Sequence, residues 1–270
     1  MRLSAGALLS LGLWPGSISA KETPSENFRF IVINDTHYMS DECGGFLDRV
    51  VHQMKWHRDV DFCLHVGDLV EKGQRDHLAA VRDIFGQLRM PVHTVPGNHD
   101  YLSNTDRAAY DDLFAKKSNY SFEHRGWQFV ALDSTQGSAY EKTKVQPATM
   151  NWVSDNVPKL EKAKPTVVFT HFPLGNNVKY RPANADALLD HFRPLNLRAV
   201  FNGHFHGFTE REFAHAPVTT NRCCALKRGN HDKTKEKGYF LCTAKDGQIT
   251  REFIEVMFRP YPQPGRRVAA

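Results

Sequence analysis

The sequence predicts an α/β fold built on a mostly parallel sheet. Two observations carry that expectation. Through residue 100, short apolar runs alternate with stretches of helical spacing. The early apolar runs also close on residues that turn a chain out of a strand, at Asn34, Gly67 and Gly97. The chain has 270 residues, 41% of them hydrophobic and 18 of them Phe. That is enough for a sizeable core and too apolar for general disorder.

The first apolar run, residues 28–34, has the length and continuity of a strand buried on both faces. Residues 44–57 place Phe46, Leu47, Val50, Val51 and Met54 on one stripe, which predicts a helix. Residues 60–66 are the next strand. A helix follows over 74–88, with Leu78, Val81, Ile84, Phe85 and Leu88 on its apolar face. Residues 91–95 make a third strand, closed by Pro96-Gly97. A helix is predicted over 106–117, and a hairpin over 120–123 and 127–132 with its turn at Arg125-Gly126. Pro147 suits the first turn of a helix over 147–157. A strand over 166–169 leads to His171, a helix spans 185–192, and a strand over 198–201 leads to Gly203. Then the pattern changes: 209–213, 218–221, 239–243 and 249–258 read as strands with no helix between them. No linker or internal repeat interrupts the chain, so residues 27–258 form a single domain. The tail 259–270, rich in Pro, Gly and Arg, is loose or lies on the surface.

The net charge of +5 suits attraction of anionic substrates but gives no strong nucleic-acid signal. Residues 1–20 read as a secretory signal. Residues 3–13 are uncharged and mostly apolar, Trp14-Pro15-Gly16 breaks the run, Ser17-Ile18-Ser19-Ala20 offers small residues for cleavage, and a polar stretch begins at Lys21. The run is too short for a stable membrane span. This places the protein outside the cytoplasm, in a periplasmic or extracellular location. Arg2 is the only basic residue ahead of the run, so a longer, twin-arginine leader is an option if the start has been placed too far downstream. A short packed helix is the competing reading. Five cysteines (Cys43, Cys63, Cys223, Cys224, Cys242) leave an odd thiol. Cys63 suits a strand interior, and Cys223 or Cys224 pairs with Cys242 if their strands are neighbours. None has zinc-site spacing. Nothing points to an oligomeric state.

Seven residues carry the chemistry: Asp35 and His37 in Asp35-Thr36-His37, Asp68 after Gly67, Asn98 in Gly97-Asn98-His99-Asp100, His171 after Thr170, and His204 and His206 in Gly203-His204-Phe205-His206. Asp35 or Gly67-Asp68 alone is merely a turn. Together the seven supply three oxygen donors and four imidazoles. Each group follows an apolar strand, and the carboxyl ends of parallel strands gather into one crevice. Mixed carboxylate, amide and imidazole ligands suit manganese, iron or zinc. Two such divalent ions, about 3.5–4 Å apart, clamp a phosphoryl group. Asp68 is the natural bridge, one oxygen to each.

That ordered series, from about residue 28 to His206, resembles the calcineurin-like metallophosphoesterases. The resemblance implies a four-layer α/β/β/α sandwich of two mixed β-sheets flanked by helices, with the helix-free strands after His206 in its second sheet. It implies one metal on Asp35, His37, Asp68 and His206, and another on Asp68, Asn98, His171 and His204. His99 would face the substrate, stabilise phosphoryl charge and help protonate the leaving oxygen. Asp100 would orient His99. The implied reaction is hydrolysis of a phosphate mono- or diester by in-line attack of a hydroxide bridging the metals. A small-molecule phosphate ester is the implied partner, a nucleotide among the options. Purple acid phosphatases of this superfamily carry Tyr three positions after the bridging Asp; here Glu71 stands there, which disfavours a tyrosinate–iron(III) site. Residues 67–73 are more similar to the cyclic-nucleotide-phosphodiesterase-like branch. The alternative is a catalytically silent interaction or surface-binding protein on the same fold.

Other features have blander readings. Gly229-Asn230-His231-Asp232 repeats the tetrapeptide of the ligand loop, but it lies in the basic run 227–237 and reads as an exposed hairpin tip, with substrate contact the lesser reading. His65 suits a packed position behind Asp68. After His171, the loop 174–181 either shapes the substrate pocket, with Asn176 or Arg181 to hold a phosphate, or is a solvated connection.

Overall fold

Phe28, Phe30 and Val32 of β1 (Phe28–Ile33) pack in one cluster and Ile31 and Ile33 in another, and both sets are buried. Alternation sends successive side chains to opposite faces, so a run that is apolar at every position needs cover on both. On one face, Phe28, Phe30 and Val32 join Phe62 and Leu64 of β2 (Val60–His65). On the other, Ile31, Ile33 and Cys63 meet Phe46, Leu47 and Val50 of α1 (Asp41–Met54) and Val81 and Phe85 of α2 (Arg75–Gly86). The computed structural model describes residues 27–114 and 118–257. The segment read as a signal and the tail 259–270 lie outside them.

The remaining elements are β3 (Val92–Thr94), α3 (Ala108–Leu113), β4 (Tyr120–His124), β5 (Trp127–Leu132), α4 (Pro147–Asn156), β6 (Pro165–Thr170), α5 (Ala185–Asp190), β7 (Asn196–Asn202), β8 (Thr209–Phe213), β9 (Ala216–Thr220), β10 (Gly238–Lys245) and β11 (Gln248–Glu255). They form two mixed sheets, ordered β11-β10-β1-β2-β3 and β4-β5-β6-β7-β9-β8. Between the sheets, Phe30 and Phe62 stack at 5.3 Å and meet Trp127, Phe129, Phe169 and Phe201. Outside the second sheet, Val130, Val168 and Val200 pack on Val153 of α4 and Leu188 of α5. This is the expected α/β/β/α layering.

Four details differ from what local pattern alone predicts. The sheets are mixed, as the family resemblance implied, rather than mostly parallel: β1, β2 and β3 run parallel, but β10 enters antiparallel beside β1. The late strands divide between the sheets. β8 and β9 extend the second, while β10 and β11 close the first. Strand pairing over such separations is decided by tertiary packing, which local pattern does not encode. The cysteines are all free thiols. Cys242 packs between the sheets and Cys224 on the helix side of the first sheet, so the two face different layers. The helix expected over 106–117 starts only at Ala108, because the Asp106 side chain caps the Ala108 N–H and its carbonyl accepts from Leu102.

Candidate metal centre

All the singled-out motifs leave the carboxyl ends of parallel strands: β1, β2 and β3 in one sheet, β6 and β7 in the other. The backbone there is unusual. Asp35, His37, Asp68, His204 and His206 have φ of 54°, 43°, 52°, 64° and 48°. Each such non-glycine residue costs about 1–3 kcal/mol and persists only where its surroundings over-determine it. Backbone bonds do so here: Thr36 and His37 both donate to the Asp68 carbonyl, and Gly203 donates to that of His171. The motif glycines leave room for carboxylates. A Cβ on Gly97 would stand 2.1 Å from Asp68 Oδ1, and one on Gly203 2.7 Å from Asp35 Oδ2.

The side chains converge in two groups. One ligand atom from each of Asp35, His37, Asp68 and His206 lies within 4.8 Å of the others, and the same holds for Asp68, His171 and His204. Asp68 Oδ2 is 3.6 Å from His37 Nε2 and 3.3 Å from His171 Nε2, so one oxygen faces both groups. His206 Nε2 is 3.2 Å from Asp35 Oδ1, and His204 Nδ1 is 3.2 Å from His171 Nε2. Asn98 is buried, and its Oδ1 has no protein partner. An orphaned buried oxygen calls for a ligand or a water.

Each imidazole turns its other nitrogen onto an oxygen. His171 Nδ1 lies 2.9 Å from the Val66 carbonyl, His204 Nε2 2.8 Å from that of Tyr140, and His206 Nδ1 3.3 Å from that of Gly229. His37 Nδ1 sits 3.2 Å from Glu71 Oε2, in poor hydrogen-bond alignment. Such outer partners fix the tautomer that leaves the inner nitrogen free for a metal.

Electrostatics point the same way. Burial opposes ionisation of Asp35 and Asp68, yet His206 and His171 hold both carboxyls far below their usual range. Burial also opposes protonation of His171 and His206, but Asp68 lifts His171 to about 9 and Asp35 lifts His206 well above its ordinary value. At His204 burial wins and pushes the ring down to about 3. Two fully buried carboxylates demand positive charge, and an oxygen–imidazole donor set suits divalent cations. The residues fit two metals.

His99 borders the centre, and its Nδ1 is 2.8 Å from the Glu71 carbonyl. Asp100 does not orient it. The Asp100 carboxylate instead accepts the N–H groups of Leu69, Val70 and Gly97, which braces the loops carrying Asp68 and Asn98. The cleft has a volume of about 540 Å³ and is lined by Lys72, Tyr140, Tyr180, Arg228 and His231 besides the centre; sequence reading missed Lys72, Tyr140 and Arg228, while Tyr180 and His231 lie in segments it offered as pocket or substrate contacts. The second Gly-Asn-His-Asp is no free tip: His231 stacks on His206, and its N–H donates to the His206 carbonyl. The duplicated tetrapeptide itself was the signal that could have flagged it. Arg181 pairs with Asp186 and the Leu174 carbonyl, away from the cleft, and the Asn176 carbonyl accepts from Arg211. His65 is packed behind the site, 3.0 Å from the Thr36 hydroxyl.

The sequence model of the calcineurin-like phosphoesterase family matches residues 28–208. The chain belongs to that family. Among curated relatives of this calcineurin-like phosphoesterase is the glycerophosphodiester phosphodiesterase GpdQ of Enterobacter lignolyticus, 26% identical over 70% of this chain and 74% of that protein. Another, from Fibrobacter succinogenes, is named "Probable cyclic nucleotide phosphodiesterase" and is 24% identical over 55% of this chain and 59% of its own length. Solved structures with the same fold include GAP50, the anchor in the inner membrane complex of Plasmodium, at TM-score 0.64 and 16% identity over 86% of this chain and 85% of that one. The purple acid phosphatase PPD1 of yellow lupin seeds matches at TM-score 0.59 and 13% identity, over 86% of this chain and 52% of that one. The chain is a hydrolase of phosphoric esters by family, and no helix among the described residues is long and apolar enough to cross a membrane.

Proposed function

We propose that this protein is an exported binuclear metallophosphoesterase that hydrolyses small phosphodiesters. The observation that carries the binuclear reading is the pair of donor groups meeting at Asp68 Oδ2. Asp35, His37, Asp68 and His206 would hold one divalent ion, and Asp68, Asn98, His171 and His204 the other, whether manganese, iron or zinc. Bound there, the ions supply charge that acidifies the attacking water and neutralises phosphoryl oxygens. His99 Nδ1 donates to the Glu71 carbonyl, and Nε2, 3.4 Å from Arg228 Nη2, is the atom that would protonate the departing alkoxide, which requires His99 to enter the step as the imidazolium. Asp100 acts indirectly, as a brace for the Asp68 and Asn98 loops. The names of both curated relatives support diesters, and the signal-like pattern of residues 1–20 supports export.

The test strips the protein of metal, reloads it separately with manganese, iron or zinc, and assays p-nitrophenyl phosphate, bis(p-nitrophenyl) phosphate and a cyclic nucleotide. Diester turnover that exceeds monoester turnover and vanishes with a chelator is expected. Failure to hydrolyse any ester with any metal would overturn the reading in favour of a silent platform.

A further inference from the structure

The cleft holds cationic side chains that metal binding does not explain. Lys72 and Arg228 are among its lining residues, and Arg228 is the one fixed beside His99, whereas Ser103, Ser138, Tyr140 and Tyr180 of the lining are uncharged. Arg228 Nε donates to Glu71 Oε2 at 2.9 Å and Nη2 to Oε1, and Nη2 also stands 3.4 Å from His99 Nε2. Glu71 does not serve Arg228 alone, because Oε2 faces His37 as well. Arg228 Nη1 has no protein partner among the described residues.

The arginine is held from behind. Lys237 Nζ donates to the Arg228 carbonyl. Asn230 clamps the same loop, accepting from the Cys223 N–H and donating to the Thr234 and Glu236 carbonyls. A guanidinium fixed in this way, half exposed at a cleft and with donors to spare, is preorganised for a carboxylate or phosphate oxygen.

We infer that Arg228 is a specificity-determining residue that reads a negative charge on the leaving arm of the substrate, so that the preferred substrates are phosphodiesters whose leaving alcohol carries a carboxylate or a phosphate. This rests on the phosphoesterase reading above. The arm is fixed by position: Arg228 adjoins His99, the group placed to protonate the leaving oxygen. Lys72 adds a second positive charge to the cleft lining. A neutral arm leaves Arg228 on Glu71 and gains nothing from either cation.

The experiment compares methyl 4-carboxyphenyl phosphate, methyl 4-(phosphonomethyl)phenyl phosphate and the neutral methyl 4-carbamoylphenyl phosphate, with the metal-loaded wild type, Arg228→Lys and Arg228→Met. Taking the anionic-to-neutral ratio of kcat/KM within each protein and comparing it across variants cancels intrinsic leaving-group reactivity. In Arg228→Met that ratio falls roughly 10- to 100-fold, mostly through KM, since a charge-assisted hydrogen bond is worth about 1.5–3 kcal/mol. Arg228→Lys recovers part of it. The carboxylate and phosphonate arms show which anion is preferred. If Arg228→Met does not fold, Arg228→Lys and the wild-type ratio decide, the latter falling as salt rises. An unchanged ratio in the variants, or a salt-independent one in the wild type, overturns the inference. Hydrolysis of none of the esters strikes at the phosphoesterase reading instead. Calorimetry with non-hydrolysable carboxy- and carbamoyl-benzylphosphonate methyl esters then decides the inference separately, and equal affinities for the wild type overturn it.

Discussion

Gly-Asn-His-Asp occurs at 97–100 and again at 229–232, and the two copies put the same side chains to different uses. In the first, Asn98 is buried with Oδ1 unbonded beside two carboxylate–imidazole groups. In the second, Asn230 Oδ1 accepts from Cys223 and Nδ2 donates to Thr234 and Glu236. His99 is steadied by the Glu71 carbonyl beside the cleft, whereas His231 lies against His206, the ring planes 22° apart. Asp100 gathers three N–H groups from two loops; Asp232 caps its own turn at Thr234 and accepts from Phe208. The difference lies in where the chain enters. The first copy leaves β3 at the carboxyl edge of a parallel pair, where ligand loops converge. The second closes a long loop whose own backbone consumes its polar groups. A tetrapeptide becomes a ligand loop when the fold leaves its asparagine oxygen unspent.

The largest effect that separates the copies is catalytic. His99→Ala is expected to keep its metals, as read by elemental analysis, and to lose about 10²–10⁴-fold in kcat, the usual contribution of a positioned acid. His231→Ala is expected to lose less than about tenfold, mainly in KM, because its ring borders the cleft but rests on a metal-side imidazole. Equal losses in kcat would erase the distinction.

Next in size is the asparagine pair, where the copies exchange roles between metal binding and stability. Asn98→Ala removes an oxygen with no protein partner, so the melting temperature of the metal-free protein stays nearly unchanged while metal retained after dialysis falls. Asn230→Ala strands the Cys223 N–H and the Thr234 and Glu236 carbonyls. Unfolding in urea should show a loss of about 2–4 kcal/mol, at the low end of about 1–3 kcal/mol for each group left unpaired because these three bonds are only partly buried, with metal content preserved. A destabilised Asn98→Ala that still binds both ions would invert the assignment.

What was legible in the sequence follows from how each residue is held. Asp35, Asp68, His171 and the His204–His206 pair end apolar strands, so strand pattern and order already gathered them. Their glycines were visible too, and the structure supplies the reason, since Gly97 and Gly203 sit where a Cβ would strike a carboxylate. The left-handed backbone at His37, His204 and His206 was not legible, because only a few per cent of non-glycine residues adopt it and histidine's enrichment there is too weak to assign a given position. Arg228 and Tyr140 were not legible either, whereas Tyr180 sits in the loop after His171 that the sequence already offered as a pocket wall. Arg228 reaches the cleft from the loop between β9 and β10, which join different sheets, and Tyr140 from the long β5–α4 connection, paths that no local window contains. Asp100 misled for the converse reason: adjacency to His99 suggested partnership, but its carboxylate satisfies the backbone of two loops.

The smallest effect separates the two aspartates by the sign of their pH dependence, in the metal-free protein. Burial opposes charge on Asp232, but the Thr234 hydroxyl and the N–H groups of Thr234 and Phe208 outweigh it, so the folded pKa is lowered. Its contribution is therefore fully present above the unfolded value and fades as pH falls through the folded one. At Asp100, burial and then the charge of Asp68 push the carboxyl up to about 7, against the N–H donors of Gly97 and Val70. There the neutral form is favoured in the fold, and stability is lost as pH rises from the unfolded value through the folded one. Urea unfolding between about pH 4 and pH 7.5 should thus show the penalty of Asp232→Asn, about 1 kcal/mol near neutrality, shrinking toward acid. Relative to wild type, Asp100→Asn should instead gain ground as pH rises, because the variant has no carboxyl to ionise. Parallel slopes for the two variants would mean that both aspartates are held as ordinary surface caps, and that the bracing of the Asp68 and Asn98 loops comes from elsewhere.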